Sequence, residues 1–448
     1  MPSLSLGTIL FQRRWHLSEA DVSHSAALVA DTGYAVGAGT WLGGTDYGAA
    51  LVLVDSLGDT VAVRNVSGLD NGAGYLCRVN DGGYVIAGTT NSLHVFAQKF
   101  SATGDSVWTY SSPTLGLVPA VISTKDDGCL IVGRIPDSMY STGAVKLDST
   151  GHEEWTQYYY DPGVTTSIAR GATQTPDGGY ILCGDAQGYQ ATYIRFVRTD
   201  SAGRQIWSQE YYGPVDPSLH GVCETPDGGF ISVGSEYDTL QSHDAVYIVR
   251  IDTGGAIVRT HNLSLSGVGA QAMAMDKTRD GGYIVAATID WGDSSRVWLI
   301  KLDANSDTTW TAVLPGSGKE RAADVRQTAD GGYVIAGTSD SAGGSVLLIK
   351  TNPRGQLPIV EESPAVPERV VLSIVPNPAR GAARLEYSLP IGTTANLRVY
   401  DALGRQVFSS TGLHTSSFVL GTSSFPPGVY VLRLESDHGS ATQKLVVE

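Results

Sequence analysis

The chain has 448 residues, of which 42 % are hydrophobic and 17 % charged, with a formal net charge of −15. That much apolar material excludes a disordered chain. The acidity, with no Lys/Arg cluster anywhere, excludes nucleic acid and anionic membrane as partners and suits an extracellular protein.

At the N-terminus, Met1 to Leu10 holds a short apolar stretch, but Arg13 and Arg14 follow it rather than precede it. That order is wrong for a signal peptide, so a signal for export is expected to have been removed or to lie outside this sequence. No run of about 18 apolar residues occurs, so no transmembrane segment is expected. Cys77, Cys129, Cys183 and Cys223 fall one per repeat with no C-x-x-C spacing. They read as buried free thiols rather than a metal site or a disulfide framework.

One phrase returns along the chain: Asp31-Thr32-Gly33-Tyr34, Asp81-Gly82-Gly83-Tyr84, Asp126-Asp127-Gly128-Cys129, Asp177-Gly178-Gly179-Tyr180, Asp227-Gly228-Gly229-Phe230, Asp280-Gly281-Gly282-Tyr283 and Asp330-Gly331-Gly332-Tyr333. The seven copies are spaced by 50, 45, 51, 50, 53 and 50 residues. A strand-rich repeat of this length fits one four-stranded propeller blade.

Each repeat has the same anatomy. An alternating strand comes first, with Ala26, Leu76, Val121, Ala172, Val222, Met275 or Val325 five positions before the Asp. The Asp-Gly-Gly turn follows, with Asp as the turn former and glycine supplying positive φ. An apolar second strand then ends in a small residue (Ala38, Gly88, Gly133, Gly184, Gly234, Ala287, Gly337), as strands crowded towards an axis require. A variable loop, a third strand, an Asp-x-x-Gly turn and a fourth strand complete the unit. Trp108, Trp155, Trp207 and Trp310 recur on the fourth strand and read as packing between blades.

The seventh repeat stops after its third strand. The distance from Gly7 to Gly33 equals that from Gly203 to Gly229, 26 residues, which puts Phe11 in the place of Trp207 and Trp15 in that of Tyr211. Gly7 to Leu17 is therefore expected to supply the last outer strand. The fold expected is an all-β, seven-bladed β-propeller, residues 1–357, closed by the N-terminal strand.

Gln356 to Pro367 carries three prolines, and 358–367 reads as a linker. Residues 368–448 show short strands with turn signals, as in a small immunoglobulin-like β-sandwich. Four motifs stand there in order: Val375-Pro376-Asn377-Pro378-Ala379, Val399-Tyr400-Asp401-Ala402-Leu403-Gly404-Arg405-Gln406-Val407, Pro427-Gly428-Val429-Tyr430-Val431-Leu432-Arg433-Leu434 and Gln443-Lys444-Leu445-Val446-Val447. Together they resemble the C-terminal sorting domain of the type IX secretion system of Bacteroidetes-like bacteria. The resemblance implies export across the outer membrane, contact with the secretion machinery, and a secreted or outer-cell-surface location. Members of that family usually lose this domain during export. The Asp-Gly-Gly-Tyr repeats also resemble arrays common in proteins that carry such domains.

No catalytic constellation is recognised. There is no H-E-x-x-H, no G-x-S-x-G and no EF-hand pattern, and Pro315-Gly316-Ser317-Gly318-Lys319-Glu320 lacks the spacing of a phosphate loop. No metal site or cofactor is expected, and no motif supports a structural calcium.

The uniform turns of the repeats share one face of a propeller, and the variable loops share the other. Function is expected on the variable face. Its candidate ligand residues are Trp41, Asp46, Tyr47, Tyr237, Asp238, His243, Asp244, Asp290, Trp291, Asp293 and Arg296, because flat rings beside carboxylates suit a sugar. Arg170, Asp216, His220, Lys319 and Arg321 are expected on neighbouring loops. The leading expectation is a binding protein for an extracellular glycan or protein. The rivals are a polysaccharide-degrading enzyme, with acid and base drawn from Asp238, Asp244, Asp290 and Asp293, and a self-associating subunit of a surface layer or filament.

Overall fold

The structure is a computed structural model that describes residues 10–15, 22–29, 33–43, 46–66, 74–90, 92, 94–113, 116–134, 141–160, 164–189, 191–212, 215–265, 267–316, 318–340, 345–357, 371–388, 394–413, 417–436 and 439–448. The expected linker, 358–367, lies outside them. The chain divides into two compact units, 1–358 and 359–448.

Among the described residues, the first unit is built of seven four-stranded antiparallel sheets. This is the all-β, helix-free propeller architecture that the repeats predict. Sheet 1 contains Val22–Val29, Gly33–Gly43, Asp46–Asp55 and Thr60–Val66, and the later sheets repeat that order. Sheet 7 contains Glu320–Gln327, Tyr333–Ser339 and Ser345–Thr351, and its outer strand is Phe11–Trp15. Phe11 stands opposite Lys350 and Trp15 opposite Val346, just as Trp207 stands opposite Arg198 and Tyr211 opposite Ile194 in sheet 4. The 26-residue alignment is thus correct to the residue. The first strand of each sheet packs on the sheet before it, and Val22–Val29 packs on the first two strands of sheet 7.

In sheets 2 to 7 the repeated turn is an ionic clamp as well as a bend. In sheet 4, Asp177 accepts hydrogen bonds from the Gly179 amide (3.2 Å) and the Thr175 hydroxyl (2.6 Å). Its other oxygen meets Arg198 on the third strand at 2.6 Å. The same pairing joins Asp81 to Lys99, Asp126 to Lys146, Asp227 to Arg250, Asp280 to Lys301 and Asp330 to Lys350, at 2.6 to 3.0 Å. The four lysine side chains are no more than 6 % exposed, so each buried charge has its partner, as a low-dielectric site demands. Sheet 1 has Leu53 at this place. In the degenerate third copy Asp127 takes the glycine's position at φ 63°, a conformation that Asp tolerates.

The recurrent tryptophans lie between sheets. Trp108, Trp155, Trp207 and Trp310 each cover the glycine of the Asp-x-x-Gly turn in the next sheet, namely Gly151, Gly203, Gly255 and Gly355. Phe11 covers Gly58 of sheet 1 in the same way and meets Tyr34 edge-on at 5.7 Å. Trp155–Tyr180 and Trp310–Tyr333 repeat that edge contact at 5.8 Å. Sheet 6 has Ser306 at the glycine position (φ 73°), and there the overlying residue is Arg259, bonded to Asn305 and Asp307. A Cβ is thus accommodated only where the ring is absent. All four cysteines are free and buried, as expected.

In the second unit, Val371–Arg380, Ala382–Ser388 and Ser417–Gly421 form one ladder. Ala395–Tyr400, Gln406–Leu413, Gly428–Ser436 and Gly439–Val447 form another, bridged to the first at Ala379–Val447. Both ladders contribute to one core, including Leu385 and Leu420 from the first and Val399, Leu432 and Leu445 from the second. The motif residues are structural ties. Asn377 donates to the Lys444 carbonyl and accepts from the Val446 amide, while Asp401 accepts from Leu403 and Arg405 to close a hairpin turn.

Two outcomes follow. An alanine Cβ at Gly203 would lie 2.6 Å from Trp155 Cζ3 at a φ of +74°. Gly203→Ala is expected to lower the unfolding free energy by about 2–4 kcal/mol, from left-handed strain plus overpacking. Adding Trp155→Arg, the arrangement native to sheet 6, is expected to restore part of that loss in urea unfolding.

The second outcome concerns acid. The Thr175 hydroxyl and Arg198 hold the Asp177 carboxyl down at about 2. At Asp280, burial opposes the shift, but Thr278, Lys301 and Gly282 outweigh it and leave the carboxyl at about 2. Because the folded values lie below the unfolded ones, this stabilisation is complete above about pH 4 and fades as pH falls towards 2. Urea midpoints measured across that window are expected to fall steeply, and less steeply in an Asp177→Asn, Asp280→Asn variant.

Candidate ligand face and central channel

The two turn types on one face are uniform: five residues separate the first and second strands in sheets 2 to 7. On the opposite face, two to seven residues separate the second and third strands. Exposed aromatic side chains gather on that variable face. Tyr160 and Tyr212 lie between sheets, and Tyr189, Tyr237 and Trp291 lie on or beside second-to-third-strand loops of sheets 4, 5 and 6. Their exposure runs from 39 % at Tyr237 to 85 % at Tyr189, and Leu240, in the loop after Tyr237, is 95 % exposed. Tyr212 is braced by Tyr193 at 4.6 Å. Ser242 and Asp216 hold positive φ on this face, marking tightly constrained loop geometry.

Each expected site residue has a definite place. Tyr237 and Asp244 are cross-strand partners, as are Asp238 and His243. Asp238 caps its own loop, accepting from the Leu240 and Gln241 amides and from Gln241 Nε2, and these bonds, led by Leu240, hold its carboxyl below the usual range. His243 Nδ1 lies 3.0 Å from the Asp244 carbonyl, so it carries the proton, and Asp244 accepts from Gln271 of sheet 6 at 2.6 Å. Asp290 accepts from the Gly292 amide at 2.7 Å and lies 3.9 Å from Arg321 of sheet 7. Trp291 and Asp293 are exposed at the same loop. Arg296 donates to the carbonyls of Ser295 and Gly318. The side chains of Trp41, Asp46 and Tyr47 lie outside the described residues, although Trp41 and Tyr47 are paired along the backbone. The structure therefore brings the residues of sheet 5 together in one hairpin and those of sheet 6 in the next. Asp238, Asp244 and Asp290 are each engaged by donors.

Below this face, the first strands of the sheets enclose a channel of about 870 Å³. Here the expectation of loop positions is corrected. Arg170, Asp216, His220 and Arg321 lie on the first strands Val164–Gln174, Val215–Glu224 and Glu320–Gln327, and Lys319 immediately precedes the last. Seven residues before the turn Asp, the register skips one residue, at Arg170, His220, Met273, Ala323 and, in the backbone of sheet 1, His24. A β-bulge at this point bends the strand and re-aims the skipped side chain, and Arg170, His220, Met273 and Ala323 all line the channel. The bulge also explains the small residues ending the second strands. A Cβ on Gly184 or Gly234 would come within 2 Å of the Ile168 or Ser218 carbonyl.

Arg170 pairs with Asp185. His220 donates from Nδ1 to the Ala272 carbonyl at 3.0 Å, and burial, then the nearby Arg170, push its pKa down, so the ring is neutral with Nε2 as an acceptor. Deeper in the channel, Arg326 lies between Asp276 (3.5 Å) and Asp324 (3.3 Å), and Asp324 foremost pushes its pKa up. No cluster of three potential metal ligands occurs among the described residues. The turn aspartates are already engaged by Thr, Gly and a Lys or Arg.

Comparison with known proteins bears on the second unit. Residues 373–448 match the family described as the secretion system C-terminal sorting domain. This chain carries a type IX sorting domain. It is accordingly a secreted or cell-surface protein, and no helix among the described residues is long and apolar enough to cross a membrane. Curated proteins gave no match.

Solved structures that resemble the chain include PorZ, a surface component of the type IX secretion system of Porphyromonas gingivalis, with 12 % identity and a TM-score of 0.46. That match covers 94 % of this chain and 58 % of PorZ, so the chain spans little more than half of PorZ's length. A fungal alcohol oxidase of the AA5 family in complex with copper has 12 % identity and a TM-score of 0.48, over 97 % and 98 % of the two chains. The β-propeller domain of the Trilobed protease from Pyrococcus furiosus has 10 % identity and a TM-score of 0.45, over 73 % and 93 %.

Proposed function

We propose that this protein is a binding protein displayed on or released from the cell surface: a seven-bladed propeller of Asp-Gly-Gly-Tyr repeats, exported through an immunoglobulin-like sorting domain. Its ligand contacts lie on the variable loop face and its ligand is an extracellular glycan. The observation that carries this reading is the arc of exposed rings, Tyr160, Tyr189, Tyr212, Tyr237 and Trp291, on a single face of a rigid scaffold. Flat rings stack on the apolar faces of sugars, and polar groups fixed beside them order hydroxyls. Asp238, His243, Asp244, Asp290, Asp293 and Arg296 supply such groups next to the rings, with Trp41, Asp46 and Tyr47, on the second and third strands of sheet 1, as further candidates. Binding without hydrolysis is favoured because Asp238, Asp244 and Asp290 are each held by donors.

The test is calorimetric binding of the full chain to a glycan panel, with a Tyr189→Ala, Trp291→Ala variant alongside. Loss of two stacking rings is expected to weaken the best ligand by at least about tenfold, with unfolding unchanged. A folded protein that binds no glycan, or binds equally well without the rings, contradicts the reading. Release of new reducing ends would establish the hydrolase instead, and ordered assemblies of the purified chain would establish the structural subunit.

A further inference from the structure

Among its described lining residues, the channel carries more cations than acids. Among the described lining residues, Arg78, Lys125, Arg170, Arg321 and Arg326 carry positive charge, and Asp276 and Asp324 carry negative charge. Those two acids both serve Arg326. Two more acids, Asp185 and Asp290, serve Arg170 and Arg321 from the rim. Five cations against four engaged acids leave a positive surplus at the centre of a chain whose net charge is −15.

Donor bookkeeping sharpens the point. A guanidinium has five N–H donors. Arg170 directs Nε and one terminal nitrogen at Asp185. Among the described residues, the one ion pair of Arg321, 55 % exposed, is a loose 3.9 Å approach to Asp290. The two arginines stand on sheets 4 and 7, three sheets apart around the ring, so their side chains reach the channel from opposite walls.

We infer that the channel is an oxyanion site, entered from the aromatic face, in which Arg321 and Arg170 receive a carboxylate or sulfate group of an acidic saccharide. The volume of about 870 Å³ suits a few sugar rings. Planar, bidentate recognition of an oxyanion is what a guanidinium does best, and apolar walls concentrate the field of the charges between them. The neutral His220, with Nε2 as an acceptor, is placed on sheet 5 to take a ligand hydroxyl. This deepens the glycan reading for the polymer, but the anion site stands or falls independently of it.

Two experiments separate the possibilities. The first compares calorimetric binding of galacturonate oligomers, their methyl esters and sulfated neutral oligomers to the full chain. The charged forms are expected to bind at least about tenfold more tightly than the esters, as charge-assisted contacts imply. Arg321→Gln and Arg170→Gln are each expected to erase that preference, so that the charged forms bind no more tightly than the esters. Carboxylate and sulfate arms identify which group the site prefers. Because Arg170→Gln strands Asp185, the exposed Arg321→Gln variant decides the matter if the other fails to fold. Equal binding of charged and esterified forms, or a preference that survives Arg321→Gln, overturns the inference.

The second experiment needs no glycan. The rate at which phenylglyoxal modifies Arg321 and Arg170 is read by peptide mass spectrometry with and without inorganic sulfate, at constant ionic strength. Slower modification of these two arginines, with surface Arg380 unaffected, supports the site even if every glycan fails to bind. No protection overturns it, whatever the glycan panel shows.

Discussion

The contact on which this architecture depends is an aromatic ring laid on the glycine turn of the next sheet. A four-stranded sheet alone has two apolar faces and nothing to cover them. Trp108, Trp155, Trp207 and Trp310 reach across to Gly151, Gly203, Gly255 and Gly355, and they fix both the spacing and the angle of neighbouring sheets. Phe11 makes the same contact where the ring closes, because it places the first described strand on sheet 7 and stacks that strand on Gly58 and Tyr34 of sheet 1. Arg64 over Gly104 and Arg259 over the Ser306 turn take the ring's place at the other two junctions. The ionic clamp beneath each Asp-Gly-Gly turn then ties the third strand to the turn within a sheet, so contacts within and between sheets support each other.

That rigidity sets where function is placed. The turn face is committed: in sheets 2 to 7 the turn aspartates and the basic residues of the third strands are paired with each other. The opposite face carries loops whose length and chemistry are free to vary, and bulges in the first strands of sheets 4 to 7 each turn one side chain towards the axis. Loops and bulges are thus two consequences of one geometry. The first offers a surface, the second a channel beneath it, and Arg321 and Asp290 link the two at the rim.

Much of this was legible in the sequence. The fourfold strand pattern, the glycine turns, the packing tryptophans and the closing strand all repeat at fixed offsets, and repetition is what a linear reading detects best. The sorting-domain motifs were legible for the same reason, since Asn377 and Asp401 are ties that only those residue types make. The clamps were not, because Asp and its cation are 18 to 23 residues apart across a loop of variable length, and Lys301 looks like the lone polar residue of an apolar strand. The channel residues were misplaced onto loops because a bulge is a property of pairing register. His220, Arg170, Met273 and Ala323 share a position but no chemistry. Tyr160, Tyr189 and Tyr212 were missed because single tyrosines in unequal loops carry no period, and only the fold shows that they share a face.

The measurement that bears most directly on the ligand face is hydrogen–deuterium exchange of the full chain with and without an excess of an acidic oligosaccharide. Slower exchange is expected in 188–192, 236–244 and 290–296 on the variable face and in the first strands Val164–Gln174 and Glu320–Gln327 along the channel. The Asp-Gly-Gly turns on the other face should remain unchanged. Protection confined to those turns, or exchange unaltered throughout, would contradict the account.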